Sequence, residues 1–365
     1  MPEERETYVL AGGGTGGHVF PAIAIAREIR ARRPGARILF VGTRRGFEAM
    51  IAPKEGFPIE FIAASGFVGR GAGAKARALA DLARGILQSR RILAREKAAA
   101  VLGVGGYASL PMLAAARLSG VPSMIQEQNS VPGIANRLGA RAARVVAAGF
   151  ESACARLPGR CVWTGNPVRK EFFQIAEREL TGRKVLVFGG SQGARVLNRA
   201  VTEAAPRLAQ SRVALVAQTG EREHAAVAAA LGGFPGMSAV PFLTEMAAAF
   251  SEADLLVCRA GALTVAELCA AGKPALLVPF AAATHGHQDE NARALERAGA
   301  AVVLAETECR GERLASVVAG LLDDPARLRS MGRAARALAR PDAAARIVDL
   351  FFEIAGRPAA SGAAA

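Results

Sequence analysis

At 365 residues the chain exceeds what one hydrophobic core ordinarily serves, and with 51% apolar residues it can fill two. Aromatic residues make up only 5%, which argues against an aromatic-rich sandwich or a base-stacking surface, so no nucleic-acid partner is expected. A formal net charge of +14 draws the molecule to anionic partners, and phosphorylated ligands or acidic lipids remain.

The first elements are a strand at Tyr8–Ala11, a turn Gly12-Gly13-Gly14-Thr15-Gly16-Gly17, a helix from about His18 to Arg32 and a strand at Arg37–Val41. Gly12, Gly14 and Gly17 fit G-x-G-x-x-G, but a dinucleotide site wants a carboxylate at the end of the second strand. That strand runs into Gly42-Thr43-Arg44 instead. A Walker loop needs Gly-Lys-Ser/Thr, whereas Gly17 precedes His18. What is left is a turn suited to an oxyanion or diphosphate, with an imidazole beside it. A helix N-terminus disfavours the imidazolium, so His18 is expected to be neutral near pH 7 and able to accept a proton; simple packing at a helix start also accounts for it.

From Phe67 to Lys97, Leu79, Leu82, Ile86 and Leu93 recur at helical spacing with Arg77, Arg84 and Arg91 roughly opposite. Such a helix either packs its apolar face on its own sheet or docks on an anionic membrane surface, with Phe67 and Val68 inserting shallowly. Strands follow at Ala99–Leu102, Pro122–Ile125 and Arg144–Ala147. The loops after the first two carry Gly105-Gly106-Tyr107 and Glu127-Gln128-Asn129, and in an open parallel sheet such loops line the ligand crevice. The stretch from Val162 to Arg169 contains turn formers and a proline and is the expected hinge.

The pattern then recurs: strand Lys184–Phe188, turn Gly189-Gly190-Ser191-Gln192-Gly193, and a helix with Val196, Leu197 and Val201. Further strands are expected at Arg212–Ala217, Asp254–Cys258 and Pro274–Pro279. Two doubly wound α/β domains follow. After Cys258, the spacing Thr264-x-x-Glu267 reads as a capping box, and Glu267 could equally accept hydrogen bonds from paired ribose hydroxyls. Five scattered cysteines, none in C-x-x-C, favour a reduced intracellular setting. Neither a leader nor an apolar run of about 20 residues is evident, so a soluble or membrane-surface protein is expected.

In order and in register, Gly13–His18, Gly105–Tyr107, Glu127–Asn129, Thr164–Arg169, Gly189–Arg195 and Arg259–Glu267 resemble the MurG family of transferases, which convert lipid I to lipid II. The likeness spans about Tyr8 to Phe352. It implies a GT-B fold, two Rossmann-like doubly wound domains facing across a cleft: residues 1–165 for the acceptor and membrane side, 166–345 for UDP-GlcNAc. A helix at 346–357 would return to the first domain and 358–365 would be a disordered tail. It further implies that Thr15, Gly16 and Gly17 approach the sugar and diphosphate, and that Asn129 reaches the GlcNAc. Arg169 and Ser191 with Gln192 and Gly193 would hold phosphate, Leu243 would lie by the uracil, and Ala262, Leu263, Thr264 and Glu267 would line the nucleotide. Gln288 would contact the sugar, with His287 as its competitor, and Gly105, Gly106 and Tyr107 would serve the acceptor. This chain departs from the family at Gln126, where many relatives carry His, and at Ala260, where Ser is common.

The implied reaction moves GlcNAc with inversion from UDP-GlcNAc to the muramyl C4 hydroxyl of lipid I. His18 is the first candidate for base and Glu127 the second. No Asp-x-Asp occurs and no cofactor or metal is expected; His285, His287 and Asp289 form only a weak ligand-like cluster. Leaving-group charge would fall on Arg169, Ser191 and helix N-termini. Another GT-B transferase, a sugar-nucleotide epimerase, a nicotinamide oxidoreductase and a non-catalytic sensor are the rival readings.

Overall fold

The computed structural model describes residues 6–65, 72–177, 183–190, 192–283 and 286–357, with backbone only at 72–76. The chain divides into two compact units, one running to Val168 and rejoined from Asp342, the other Arg169–Pro341. The break lies three residues beyond the expected 165/166 boundary.

In the first unit seven parallel strands form one sheet: β1 (Thr7–Ala11), β2 (Arg37–Gly42), β3 (Ile59–Phe61), β4 (Ala98–Gly103), β5 (Ser123–Glu127), β6 (Val145–Ala148) and β7 (Cys161–Trp163), in the order β3-β2-β1-β4-β5-β6-β7. The second unit has β8 (Lys184–Phe188), β9 (Ala214–Gln218), β10 (Met237–Val240), β11 (Leu255–Cys258), β12 (Ala275–Leu277) and β13 (Ala301–Val303), in the order β10-β9-β8-β11-β12-β13. Strands covered by helices on both faces are mainly apolar, and β1, β5, β6 and β11 are buried at every position, the polar Gln126 and Glu127 of β5 lying at its carboxyl end. The helix Gly16–Arg32 buries Val19, Ala22, Ile23, Ala26 and Ile29, the spacing of one helical face. Strand order reverses between β1 and β4 and again between β8 and β11, and open α/β sheets bind ligands outside the carboxyl ends of strands at such points.

A carboxy-terminal helix, Ala343–Ile354, belongs to the first unit. It begins three residues before the expected 346. Ile347, Val348, Phe351, Phe352 and Ile354 share a core with Tyr8, Leu10 and Phe40, and the Tyr8 ring lies 5.4 Å from Phe351 and 5.6 Å from Phe352. Burying each phenylalanine is worth roughly 1.5–3 kcal/mol. Arg32–Asp349 and Arg160–Glu353 ion pairs, both at 2.5 Å, pin its outer side.

Two expectations are corrected. Cys154 and Cys161 are joined in a disulfide, leaving Cys258, Cys269 and Cys309 as buried thiols, so the cysteine argument for a reduced setting loses its premise. The long helix is Ala72–Arg95, but its inner face is Ala78, Gly85, Ser89, Ile92 and Leu93, with Leu79 63% exposed. A shallow groove against the helix Ser109–Leu118 explains the small residues: a β-carbon on Gly85 would collide with the Ala63 carbonyl and sit 3.2 Å from Pro111. The expected hinge stretch holds the break between the units at Val168/Arg169; within it Val162 and Trp163 belong to β7, and Thr164, Gly165, Asn166 and Pro167 are buried.

Candidate functional site

In the first unit two glycine turns meet beyond the β1/β4 pair. Gly12, Gly13 and Gly14 have φ of 141°, 141° and 92°, and Gly105 and Gly106 have 89° and 78°, a region that side chains other than glycine rarely adopt. The Gly13 amide donates to the Gly105 carbonyl at 3.2 Å, and a β-carbon on Gly12 or Gly106 would run into the opposite turn. Thr15 is the N-cap of the helix Gly16–Arg32 yet does not cap it. Its hydroxyl faces His18 Nδ1 at 3.3 Å. The other side of the ring lies by the second turn, where a β-carbon on Gly105 would be 3.0 Å from Nε2. With no acidic residue in its first turn, the helix keeps its first amides without intrahelical partners, including those of Gly16 and Gly17. Tyr107 projects from the second turn, 59% exposed.

Glu127, at the carboxyl end of β5, is 1% exposed. One carboxylate oxygen accepts from the Asn129 amide (2.9 Å) and side chain (3.3 Å), the other from the Gly133 amide (3.1 Å) and Asn136 Nδ2 (2.9 Å). Burial pushes this carboxyl above its ordinary range while the four donors pull it back. Glu127 therefore shapes the Asn129–Asn136 loop and presents Asn129, half-buried, beyond the strand end. Gln126, at the position that departs from the expected pattern, is buried and donates to Asn166 Oδ1 at 3.0 Å while its Oε1 accepts from Gln128. Asn166 Nδ2 returns to the Gln128 carbonyl at 2.9 Å. Gln126, Gln128 and Asn166 thus form an uncharged carboxamide network behind the strand end.

The second unit repeats the arrangement. After β8, Gly190 (φ 92°) leaves open space on the side a β-carbon would occupy, whereas one on Gly193 (φ 72°) would strike the Thr219 carbonyl. The helix Arg195–Gln210 starts at Ala194 without a side-chain cap or an acidic first turn, beside Gln192 and Gly193. Ser191 lies outside the described residues.

After β11 the helix Ala262–Ala271 has Gly261 as its N-cap, again without a capping side chain. The capping-box reading is thereby overturned: Thr264 is the third helical residue and Glu267 the sixth, too far along to bond the cap. Glu267 instead faces Arg169 Nη2 at 3.5 Å, and Arg169 also lies over the Phe172 ring. Desolvation pushes the Glu267 carboxyl up to about 7, with Arg169 acting in the opposite direction. Ala262 and Leu263 form the uncapped first turn with Thr264.

Two groups organise the following loop. Arg259 is buried, donates to the Val278 and Pro279 carbonyls at 3.1 Å, and pairs with Glu306, whose other oxygen takes the Ala281 amide at 2.8 Å. Gln288 Oε1 accepts from the Phe280 amide at 3.0 Å, fixing the residue expected to reach the sugar; His287 begins the same helix, His287–Arg297. Asp289, in the weak ligand-like cluster, faces Arg293 at 3.7 Å, and His285 lies outside the described residues. Leu243 follows β10 and is half-buried.

Sequence reasoning missed Glu48. Its carboxylate, 2% exposed, accepts from the amides of Gly14 (2.7 Å) and Thr43 (2.8 Å) and from the Thr43 hydroxyl (3.2 Å). Glu48 lies six residues past the end of the second strand, and the glycines at 42 and 46 before it are the signal the sequence carries.

Comparison with known proteins identifies both halves of the chain. The glycosyltransferase family 28 N-terminal domain matches residues 8–148 and the family 28 C-terminal domain residues 184–347. A Geobacter metallireducens protein is 46% identical over 352 residues, covering 93% of this chain and 96% of its own length. One from Syntrophotalea carbinolica is 44% identical over 354 residues, covering 96% and 99%. Both are named UDP-N-acetylglucosamine--N-acetylmuramyl-(pentapeptide) pyrophosphoryl-undecaprenol N-acetylglucosamine transferase. The crystal structure of Acinetobacter baumannii MurG superposes with a TM-score of 0.79 at 33% identity, covering 95% of this chain and 99% of that one. A Neisseria meningitidis UDP-GlcNAc 2-epimerase, at a TM-score of 0.67 and 12% identity over 95% of this chain and all of its own, shares the fold alone. Both GT-B halves and their glycine turns are accounted for, and the chain belongs to glycosyltransferase family 28.

Proposed function

We propose that this chain transfers GlcNAc from UDP-GlcNAc to the C4 hydroxyl of MurNAc in lipid I, giving lipid II and UDP. The observation that carries the reading is near-full-length identity of 44% and 46% to two relatives that bear that activity in their names. The local chemistry supports it. Uncapped helix starts at the β8 and β11 ends offer amides and positive dipole ends to a diphosphate, and Arg169 adds a cation beside Glu267. In an inverting displacement the acceptor oxygen attacks the anomeric carbon as the bond to UDP breaks; His18 takes the hydroxyl proton, and Arg169 with the turn amides receives the leaving charge. Gly105, Gly106 and Tyr107 serve the acceptor side. Incubating the protein with UDP-GlcNAc and a short-chain lipid I analogue tests the reading: a disaccharide product and stoichiometric UDP are expected. Release of UDP without disaccharide would sink it, and formation of UDP-ManNAc would favour the epimerase alternative.

The acceptor is lipid-linked, and no helix among the described residues is long and apolar enough to cross a membrane. On this reading the first unit meets its acceptor at the surface of an anionic bilayer, on the cytoplasmic face. Leu87, 57% exposed, lies on the outer face of the helix Ala72–Arg95 among exposed Arg84, Arg90 and Arg91. Leu79, Leu118 and Leu138 are exposed on this and the next two helices. Cations near an anionic leaflet contribute about 1 kcal/mol each, and the leucines add shallow apolar burial. Phe67 and Val68 lie outside the described residues. In vesicle sedimentation a Leu79→Glu, Leu87→Glu variant should lose about tenfold or more in binding to anionic vesicles; undiminished binding would move the contact elsewhere.

A further inference from the structure

We propose that Glu48 is a positioning residue for the transfer: its buried carboxylate fixes the glycine turn that carries Thr15 and His18. The inference rests on the transferase reading above. A strand-to-helix glycine turn ordinarily offers its amides to a ligand's phosphate. Here the Gly14 amide is already spent on a side-chain anion, at 2.7 Å. Glu48 Oε1 takes both donors of Thr43, so one carboxylate ties the β1 turn to the end of β2. The enclosure leaves no slack, since a β-carbon on Gly13, Gly42 or Gly46 would collide with the carboxyl group. From the other side the Gly105–Gly106 turn presses on Gly12 and Gly13.

Held between these walls, Gly14 dictates where Thr15 begins the helix, and Thr15 Oγ1 meets His18 Nδ1 at 3.3 Å. Two backbone amides on opposite oxygens need a carboxylate. A carboxamide would turn an NH2 group against one of them, and charge-assisted hydrogen bonds are about twice as strong as neutral ones. The consequence of loosening the clip is misplacement of the imidazole, and a misplacement of about 1 Å in a reacting group can cost on the order of 100-fold in rate.

Glu48→Gln should lower kcat by roughly 10- to 100-fold while the Kd for UDP, titrated calorimetrically, stays within about twofold. In a His18→Ala background the same change should cost less than about threefold, because the group it positions is gone. Gly46→Ala, whose backbone φ lies outside the left-handed region, pushes a methyl against the carboxyl without removing charge and should behave alike if Glu48→Gln does not fold. The imidazole 15N shifts of His18 should move in either variant, with no acceptor present, so this readout stands apart from whether the wild type transfers GlcNAc. Unmoved His18 resonances, or equal losses of kcat in both backgrounds, would reduce Glu48 to a structural clip and overturn the proposal.

Discussion

Replacing His18 by Ala is expected to lower kcat by about 10²- to 10⁴-fold, the usual contribution of a general base, and to leave UDP affinity within about twofold. The ring stands at the junction of the two glycine turns, with Nδ1 facing Thr15 and Nε2 beside Gly105. Of the groups assigned to the donor, Arg169, Gln192, Gly193, Leu243 and Ala262 to Glu267 belong to the other unit, and the backbone amides of Thr15, Gly16 and Gly17 are kept in the variant. Single-turnover rates with a lipid I analogue, set beside calorimetric UDP titrations, separate the two quantities. Glu127→Gln is the matched control. Its carboxylate is engaged by four N–H donors, so the substitution should lower Tm and loosen the Asn129–Asn136 loop. If Glu127→Gln abolishes transfer while His18→Ala retains near-normal rates, the base is Glu127.

Glu267→Gln should weaken UDP binding by about 1–3 kcal/mol, the range for hydrogen bonds to charged groups, with no loss of Tm. Gly261, not Thr264, caps the helix, so no capping bond is lost. The pair with half-exposed Arg169 is worth about 0–1 kcal/mol. The pH dependence sharpens the test. With its carboxyl raised to about 7, Glu267 is ionised above that pH and neutral below it. Ribose hydroxyls donate better to the ionised form, so wild-type affinity should fall as pH drops through about 7, whereas the glutamine variant should show no such step. The same raised value means that Glu267 favours folding at low pH and that this contribution fades as pH climbs through about 7. Equal, pH-independent UDP affinity in both proteins would remove Glu267 from the ribose site.

The central strands were legible because burial on both faces demands unbroken apolar runs, as in Val9–Ala11 and Leu255–Cys258. The four strands that escaped, β3, β7, β10 and β13, are the four sheet edges, each three or four residues long. An edge strand paired on one side needs neither length nor uniform apolarity, and Ile59–Phe61 and Cys161–Trp163 are only half-buried. At the site, glycine turns were visible because their conformation admits little else. Glu48 was not, since its partner at Gly14, 34 residues away, is brought to it by the pairing of β1 with β2. Thr264-x-x-Glu267 misled because the spacing of a capping box does not say where the helix starts. The disulfide was equally hidden: Cys154 and Cys161 look unrelated until β7 returns along β6.

The return of the helix Ala343–Ile354 to the first unit has a consequence for the order of synthesis. Tyr8 is buried against Phe351 and Phe352, which are synthesised about 340 residues after it. At roughly 5–20 residues per second, translation leaves the amino-terminal sheet waiting tens of seconds for one wall of its core. The second unit, contiguous from Arg169 to Pro341, is not so delayed and can close before the first. Nascent chains therefore pass through a stage in which the later-encoded half is finished while the earlier-encoded half still shows water an apolar seam along β1 and the helix Gly16–Arg32.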